Sequence, residues 1–472
     1  MLLPLLCVAA MGNPTELRLA SLFTDSMVLQ RETKVPVWGW TAPGREVSVR
    51  ASWGGAPSVA RADAEGRWSV HLETPAAGGP HELVVAADSE IRLRDVLVGE
   101  VWLCSGQSNM EWKLRPGELG GVMQAAEEIA AASHPRVRHF DVENRASLRA
   151  QERCNGVWQA CTPETAGEFS AVAYFFAREL VRELGVPVGV INASWSGTRI
   201  EAWLDEATTR TFPELESELA TLERLRSAGN TGPLDPQVST VLHNGMLAPL
   251  APFAVRGFLW YQGEANRANH GLYRRMQPAF VDRLRERFEG PSTQPFYFVQ
   301  IAPFAYEDDE GETGALRDAQ RRCLAQPDTG MAVTMDIGDP ADIHPANKQE
   351  VGRRLALWAL AKTYAREGVV HSGPLYREHS IEGGRVRVHF DSLGAGLIEG
   401  GDHITGFEVA GVDRRFRRAS ARIDGESVLV WSSEVASPVA VRYGFAADSQ
   451  PILFNKSWLP AAAFRTDDWP VP

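Results

Sequence analysis

Cysteine is scarce, with five in 472 residues. That number cannot build a disulfide framework, and no CxxC pair suggests a zinc site. Positive charge is short as well. Lys and Arg total 48 against 60 Asp and Glu, a formal net charge of -12. A nucleic-acid binder that works by neutralising phosphates is therefore excluded. No run of 18 apolar residues exists, so the sequence offers no spanning helix. It has no internal repeat and no low-complexity tract. What remains is ordinary for a globular protein, with 44% hydrophobic and 23% charged residues. The length suits two or three domains. Trp is plentiful at 14 residues, which suits large cores or stacking on sugar rings.

Leu2 to Ala10 is a short apolar run followed by small residues, and no Lys or Arg precedes Arg18. The expectation is a leader over residues 1–13 and a secreted or periplasmic protein, or a cytoplasmic one if translation starts at Met11. Cys154 and Cys161 either close a small disulfide loop, as an oxidising compartment allows, or stay as two buried thiols.

From residue 14 to 94 the pattern is short and alternating. Val35-Pro36-Val37, Val47-Ser48-Val49, Trp68-Ser69-Val70 and Leu83-Val84-Val85 are separated by Pro43-Gly44, Gly54-Gly55 and Gly78-Gly79. Period two with Gly and Pro punctuation predicts a small antiparallel β-domain. Near Val96 the pattern changes. Apolar strands are expected at Val101–Cys104, Val137–Phe140, Val188–Ala193, Val255–Tyr261, Phe296–Ile301 and Met331–Ile337, with helical stretches between them. Ser170 to Leu184 carries Ala173, Phe176, Ala177, Leu180 and Leu184 on one face. Strands alternating with helices over 95–370 predict an α/β domain whose parallel sheet is covered on both sides. Ligands of such sheets bind beyond the carboxyl ends of the strands. Alternation returns after Val370, and 371–472 is expected to be a second β-rich region.

Four polar segments follow apolar strands. The first is Cys104-Ser105-Gly106-Gln107-Ser108-Asn109-Met110-Glu111-Trp112. Gly106 allows a tight turn, and Ser108 is then presented to the crevice with its N–H free to face an oxyanion. It is not the G-x-S-x-G elbow, since Met110 stands where the second Gly would be. The second is Asn192 to Arg199, in which Gly197 can offer an N–H. The third is Trp260-Tyr261-Gln262-Gly263-Glu264-Ala265-Asn266, whose Gln262 and Asn266 carry amides able to donate to an oxyanion, or else form a hydrogen-bonded loop clamp. The fourth is Asp336 to Pro345. Pro345 suits the first position of a helix bearing Val351, Leu355, Trp358 and Ala359. His344 precedes that helix, and Asp342 stands two residues away, able to orient the ring and stabilise its protonated form. A metal reading of Asp336, Asp339, Asp342 and His344 is disfavoured, because no second His or Cys stands at ligand spacing.

Taken in order, Gly-Gln-Ser-Asn-Met at 106–110, Trp-Ser-Gly-Thr at 195–198, Trp-Tyr-Gln-Gly-Glu-x-Asn at 260–266 and Asp-Ile-His-Pro-x-Asn-Lys at 342–348 form one set. The chain resembles the sialate O-acetylesterase family, within the wider SGNH (GDSL-like) hydrolases. Asp25 to Arg31, Tyr443 and Phe464 to Asp467 extend the resemblance across residues 20 to 467. It implies a flavodoxin-like hydrolase domain flanked by β-rich regions, and serine ester hydrolysis with no metal and no cofactor. Ser108 would be the nucleophile, His344 the base and Asp342 its orienter. Ser108, Gly197, and Gln262 or Asn266 would form the oxyanion hole. Ala265 stands where the wider family has its donor Asn. The Asp342-x-His344 spacing is one residue shorter than the usual D-x-x-H, so Asp339 is an alternative orienter and a Ser–His dyad is conceivable.

The expected substrate is an O-acetylated carbohydrate. Gln107, Asn109, Arg199, Glu264 and Arg267 are expected to bind it, the arginines through a sialic acid carboxylate. A neutral acetylated plant polysaccharide such as xylan is the alternative. A non-catalytic carbohydrate-binding protein on the same scaffold is the other.

Overall fold

The computed structural model describes residues 16–117, 120–229, 232–291, 293–401 and 403–471. The leader expected over residues 1–13 lies outside them.

The centre of the molecule is a seven-stranded sheet. Its strands are β1 (Glu90–Gly106), β2 (His134–Asp141), β3 (Trp158–Cys161), β4 (Val188–Ser194), β5 (Gly257–Tyr261), β6 (Phe296–Val299) and β7 (Thr329–Ala332). Their order across the sheet is β3-β2-β4-β1-β5-β6-β7. All neighbours are parallel except the antiparallel edge strand β3. The chain starts in the middle, fills one side, then crosses to the other. A reversal of this kind opens a crevice at the carboxyl ends of the central strands.

Alternate residues of these strands serve two cores. Leu103, Ile191, Phe258, Trp260, Phe296 and Phe298 face one side. Trp102, Cys104, Val188, Val190, Leu259 and Tyr261 face the other. The second face is covered by α2 (Ala171–Leu184) and α5 (Lys348–Trp358). Ser170 caps α2 by accepting from the Ala173 N–H, and Gly185 ends it with φ at 70°, a left-handed stop that glycine adopts without strain. The apolar stripe predicted for α5 is buried at Val351, Leu355, Trp358 and Ala359. Its start is not at Pro345. Asn347 caps it, accepting from the Glu350 N–H at 3.1 Å, and Pro345 lies in the preceding loop.

The β-rich amino-terminal part is not separated from this sheet. β1 is 17 residues long and crosses position 94 without a break. Its first half pairs antiparallel with Gly78–Ala86, and its second half pairs parallel with β4 and β5. Burial along it alternates up to Asp95 and is continuous from Val96. One face in water becomes two faces in the core, as the two kinds of sheet require. The hydrophobic core accordingly runs from Val35, Val37 and Trp68 into Leu103 and Phe258. Other strand bounds shift slightly. The largest change is β7, which ends at Ala332. Beyond it the Thr334 hydroxyl donates to Gln300 O and Asp336 takes Arg354, so the chain to Ile337 is a side-chain-anchored loop.

The carboxyl-terminal β-region has its own core, including Val388, Val409, Val430 and Tyr443. It is pinned to the central domain by Arg317 of α4 (Glu312–Arg322). This fully buried guanidinium donates to Ile301 O and Ala302 O on one side, and to Gly444 O, Ala446 O and Ala447 O on the other. Cys104, Cys154, Cys161 and Cys323 are buried free thiols, so no disulfide joins Cys154 to Cys161. Among the described residues no helix is long and apolar enough to cross a membrane.

Candidate active site

Three strand ends are level. In register, Gly106 stands beside Ser194 on one side and Tyr261 on the other. Gly106 has φ at 147°, and a Cβ there would lie 2.1 Å from Tyr261 O. Only glycine fits the turn. The Gln107 N–H bonds to that same carbonyl at 3.0 Å. The chain then enters α1 (Ser108–Glu111), a single turn of helix. Ser108 therefore sits at the carboxyl edge of the central strand, and it lines an open cleft of about 800 Å³ together with Glu111, Trp112, Lys113, Arg115, Ser196 and His344.

Two backbone donors are free at this edge. Neither the Ser108 N–H nor the Gly197 N–H has a partner among the described residues. Gly197 has φ at 72° and open space around its Cα. Its loop follows β4, and the Trp195 N–H bonds to Gly106 O at 3.1 Å. The two expected amide-bearing donors, in contrast, are used elsewhere. Gln262 Nε2 donates to Asn266 Oδ1 at 2.7 Å and Thr198 O at 3.2 Å. Asn266 Nδ2 donates to the buried Glu201 at 2.8 Å, and its Oδ1 accepts from the Ile200 N–H. Both side chains are buried, and they clamp the second and third motif loops together. Of the two readings that the sequence offers for these amides, oxyanion donor or loop clamp, the clamp is the one whose hydrogen bonds are formed.

His344 faces the cleft beside Ser108, with no hydrogen bond between them. Such contacts often tighten only when substrate enters. The imidazole stacks on Trp112, ring centroids 4.4 Å apart at 23°. Its Nδ1 lies 3.9 Å from Asp342 Oδ1, too far for a hydrogen bond. That same oxygen accepts from the His344 backbone N–H at 2.8 Å. Asp342 thus holds the loop and keeps an anionic oxygen near the ring, while the indole sets the ring plane. Asp339 spends its Oδ1 on the Ala341 N–H at 2.8 Å, which caps its own turn. Burial lowers the pKa of His344 below its ordinary 6.5, and the Lys348 cation acts in the same direction. The imidazole is therefore neutral, and able to accept a proton, at neutral pH.

Beside Ser108 lies a buried polar layer. Asn109 Nδ2 donates to Glu264 Oε1 at 2.7 Å and to Ile343 O at 3.1 Å, and its Oδ1 accepts from Lys348 Nζ at 2.6 Å. One amide ties the helix of Ser108 to the third motif and to the loop of His344. Gln107 Oε1 accepts from the Gly263 and Ala265 N–H groups. Asn109, Glu264 and Gln107 are buried. Asn109 and Glu264, expected to bind substrate, hold the frame instead, and Gln107 spends its carbonyl oxygen on it. Burial raises the Glu264 carboxyl and lowers Lys348 to about 7.

The expected carboxylate-binding arginines are also engaged. Arg199 pairs with Glu218 and donates to Gln237 O. Arg267 pairs with Asp309 and lies over the Tyr306 ring at 3.4 Å. Cations do line the cleft, at Lys113 and Arg115, which share Glu168. Among the described residues no group of three His, Cys, Asp or Glu side chains is placed to hold a metal. Asp336 is held bidentate by Arg354 at 2.6 Å.

Sequence reasoning missed Glu111, Trp112 and Lys348. The available signal was position. Glu111 and Trp112 lie one helical turn after Ser108, and Lys348, four residues after His344, opens the following helix.

A family model described as carbohydrate esterase, sialic acid-specific acetylesterase, matches residues 98–361. Sialate O-acetylesterase of Homo sapiens is 30% identical over 412 residues, covering 79% of this chain and 76% of its own. The enzyme of the same name from Rattus norvegicus is 30% identical over 436 residues, covering 79% of each. Among solved structures, a carbohydrate acetylesterase from Xanthomonas citri is 42% identical with a TM-score of 0.85, covering 96% of this chain and 100% of that one. The chain is a carboxylic ester hydrolase, and it belongs to the sialic acid-specific acetylesterase family of carbohydrate esterases.

Proposed function

We propose that the protein is a serine esterase that removes O-acetyl groups from sugars, with sialic acid as the acetylated sugar and Ser108 as the nucleophile. The observation that carries the reading is the strand edge itself: Ser108 and His344 line one cleft, and two unused N–H groups flank the serine. The parallel-sheet domain is read as an SGNH-type hydrolase, supported by a nucleophile placed directly after the central strand.

In the mechanism, His344 takes the proton of Ser108 Oγ as that oxygen bonds to the acetyl carbon. The carbonyl oxygen gains the negative charge and is held by the Ser108 and Gly197 amides. The tetrahedral intermediate collapses. The sugar oxygen leaves with the proton carried by His344, and the acetyl group stays on Ser108. Water, deprotonated by His344, then attacks the acyl-enzyme and releases acetate. Asp342, 3.9 Å away, steadies the imidazolium formed in both steps. The remainder is effectively a Ser–His dyad with Trp112 fixing the ring.

A second reading, a neutral acetylated polysaccharide, is favoured by one observation. Arg199 and Arg267 are committed to protein partners, so among the described residues lining the cleft a sialic acid carboxylate would have Lys113 and Arg115 to meet. The test is acetate release from 9-O-acetylated sialic acid and from acetylated xylan, with wild type beside Ser108→Ala. Release from the sialic acid by wild type alone supports the first reading. Release from xylan alone supports the second. No release from either substrate, with no fluorophosphonate labelling of Ser108, overturns both in favour of a carbohydrate binder. The Leu2–Ala10 run supports export, which amino-terminal sequencing of the mature protein checks.

A further inference from the structure

The loop that carries the free Gly197 N–H is held at three consecutive residues, each by a different part of the molecule. The Trp195 N–H bonds to Gly106 O at 3.1 Å. The Ser196 N–H bonds to Glu111 Oε2 at 2.6 Å. The Gly197 carbonyl accepts from the Gln237 side chain. Only the Gly197 N–H is left over, and it belongs to the peptide between the second and third anchors. Glu111 is the one ionisable group among these anchors, and it sits on the nucleophile's own helix, three residues after Ser108. Its other oxygen accepts from Asn144 Nδ2 at 2.8 Å, so the carboxylate is fixed from both sides. A charge-assisted bond of this length is stronger than a neutral one.

We propose that Glu111 is a positioning residue of the oxyanion site: it locks the Ser196–Gly197 peptide to the helix of Ser108, so that both N–H donors are aimed at one carbonyl oxygen. Electrostatic stabilisation of acyl transfer depends on such donors being placed before the charge develops. Two donors on two different segments keep a common target only if something joins the segments, and the Glu111 carboxylate, carried on the helix of Ser108, does so through its bond from the Ser196 N–H. Its surroundings fit that task. Burial raises its pKa above the ordinary carboxylate range; the hydrogen bonds from Asn144 and Ser196 oppose the rise, the Asp141 anion adds to it and the Lys113 cation opposes it. The tether is therefore lost as pH falls, from a higher pH than an exposed glutamate would require.

The inference rests on the esterase reading above, so the experiment separates the two. Wild type, Glu111→Ala and Glu111→Gln are compared by kcat and KM for acetate release, with hydrogen exchange of the 194–198 peptide measured on the free proteins. Glu111→Ala is expected to lower kcat roughly 10- to 100-fold with KM little changed, up to the loss seen on removing one oxyanion donor. Exchange across 194–198 should quicken, while the thermal midpoint and exchange of the 342–346 peptide stay as in wild type. Glu111→Gln keeps an acceptor for the Ser196 N–H and should retain kcat within roughly fivefold, with less of a fall on the acid side. Wild-type kcat in Glu111→Ala, or a change confined to KM, overturns the proposal. A wild type with no activity overturns the esterase reading instead, and exchange alone then decides the tether: unchanged exchange in Glu111→Ala overturns it.

Discussion

The two ends of the central strand β1 treat buried charge in opposite ways. At the amino end of its parallel run, Glu100 is fully buried yet fully partnered. Arg31 reaches it at 2.5 Å, Arg256 at 2.7 Å and Gln30 at 3.1 Å. Burial alone would raise this carboxyl, but Arg256, Arg31 and Gln30 outweigh it and hold it below its ordinary range. Just beyond the carboxyl end, Glu264 is equally sunk but receives one amide, from Asn109, and its Oε2 has no partner. Lys348, the nearest cation, is bonded to the amide rather than to the carboxylate. Both groups are pushed toward neutrality. Fully satisfied charge is what a fold needs. Charge left short of partners persists only where surrounding structure imposes it, and it collects at functional sites. The difference therefore assigns stability to one end and chemistry to the other.

The sharpest break of that comparison is Ser108→Ala. At the carboxyl end it should abolish turnover, by roughly four to six orders of magnitude for loss of a serine nucleophile, and leave the thermal midpoint unchanged. Acetate release and a melting curve on the same preparation check it. At the amino end, Glu100→Ala should do the reverse. It strands two arginines that retain a little solvent contact, so the expected loss is about 3 kcal/mol, the low end for a broken buried pair. Urea unfolding reads the loss, and kcat per folded molecule should be unaltered. The sign with pH follows. Glu100 is depressed in the fold, so its contribution is present above the ordinary carboxylate value of 4.5 and is lost as pH falls below it.

Much of this was visible in the sequence. The change of period near Val96 marked where one-sided burial becomes two-sided, and the four motif segments lie at the strand edge, after β1, β4, β5 and β7. What was not visible is continuity: alternating and unbroken apolar patterns look like two domains, although β1 carries both. Side-chain partners from distant sequence were equally hidden. Gln262 and Asn266 read equally as oxyanion donors or as a loop clamp until Thr198 and Glu201 are seen to accept from them. Arg199 and Arg267 read as substrate contacts until Glu218 and Asp309 appear. Local pattern tells which residues leave the core, and only the fold tells what they meet.

A smaller effect is expected at Asn109, which is fully buried in the frame. Its amide holds the nucleophile's helix against the loop of His344 through Ile343 O. Asn109→Ala should lower kcat roughly 10- to 100-fold, the scale of a misplacement near 1 Å, with KM within about twofold. Asn109→Asp would set a carboxylate against Glu264, and should be worse than alanine despite its matching shape. If alanine and aspartate are equally impaired, the layer is simple packing and the contrast with Glu100 loses its electrostatic content.

The smallest effect is the most discriminating, because it moves a pH limb rather than a rate. His344 must be neutral to accept the serine proton, so kcat/KM rises with pH through its titration. Burial, then Lys348, place that titration below 6.5. Trp112→Ala uncovers the face on which the ring stacks, and Lys348→Met removes the cation. Both variants should therefore move the acid limb upward, toward 6.5, with the plateau of Lys348→Met reduced as well because Asn109 loses its partner. Asp342→Asn acts with the opposite sign. Removing the anion that favours the protonated ring should push the limb further down, and the 3.9 Å separation makes that shift the smaller of the two. A downward move in Asp342→Asn larger than the upward move in Trp112→Ala would mean that Asp342, not the burial set by Trp112, governs the base.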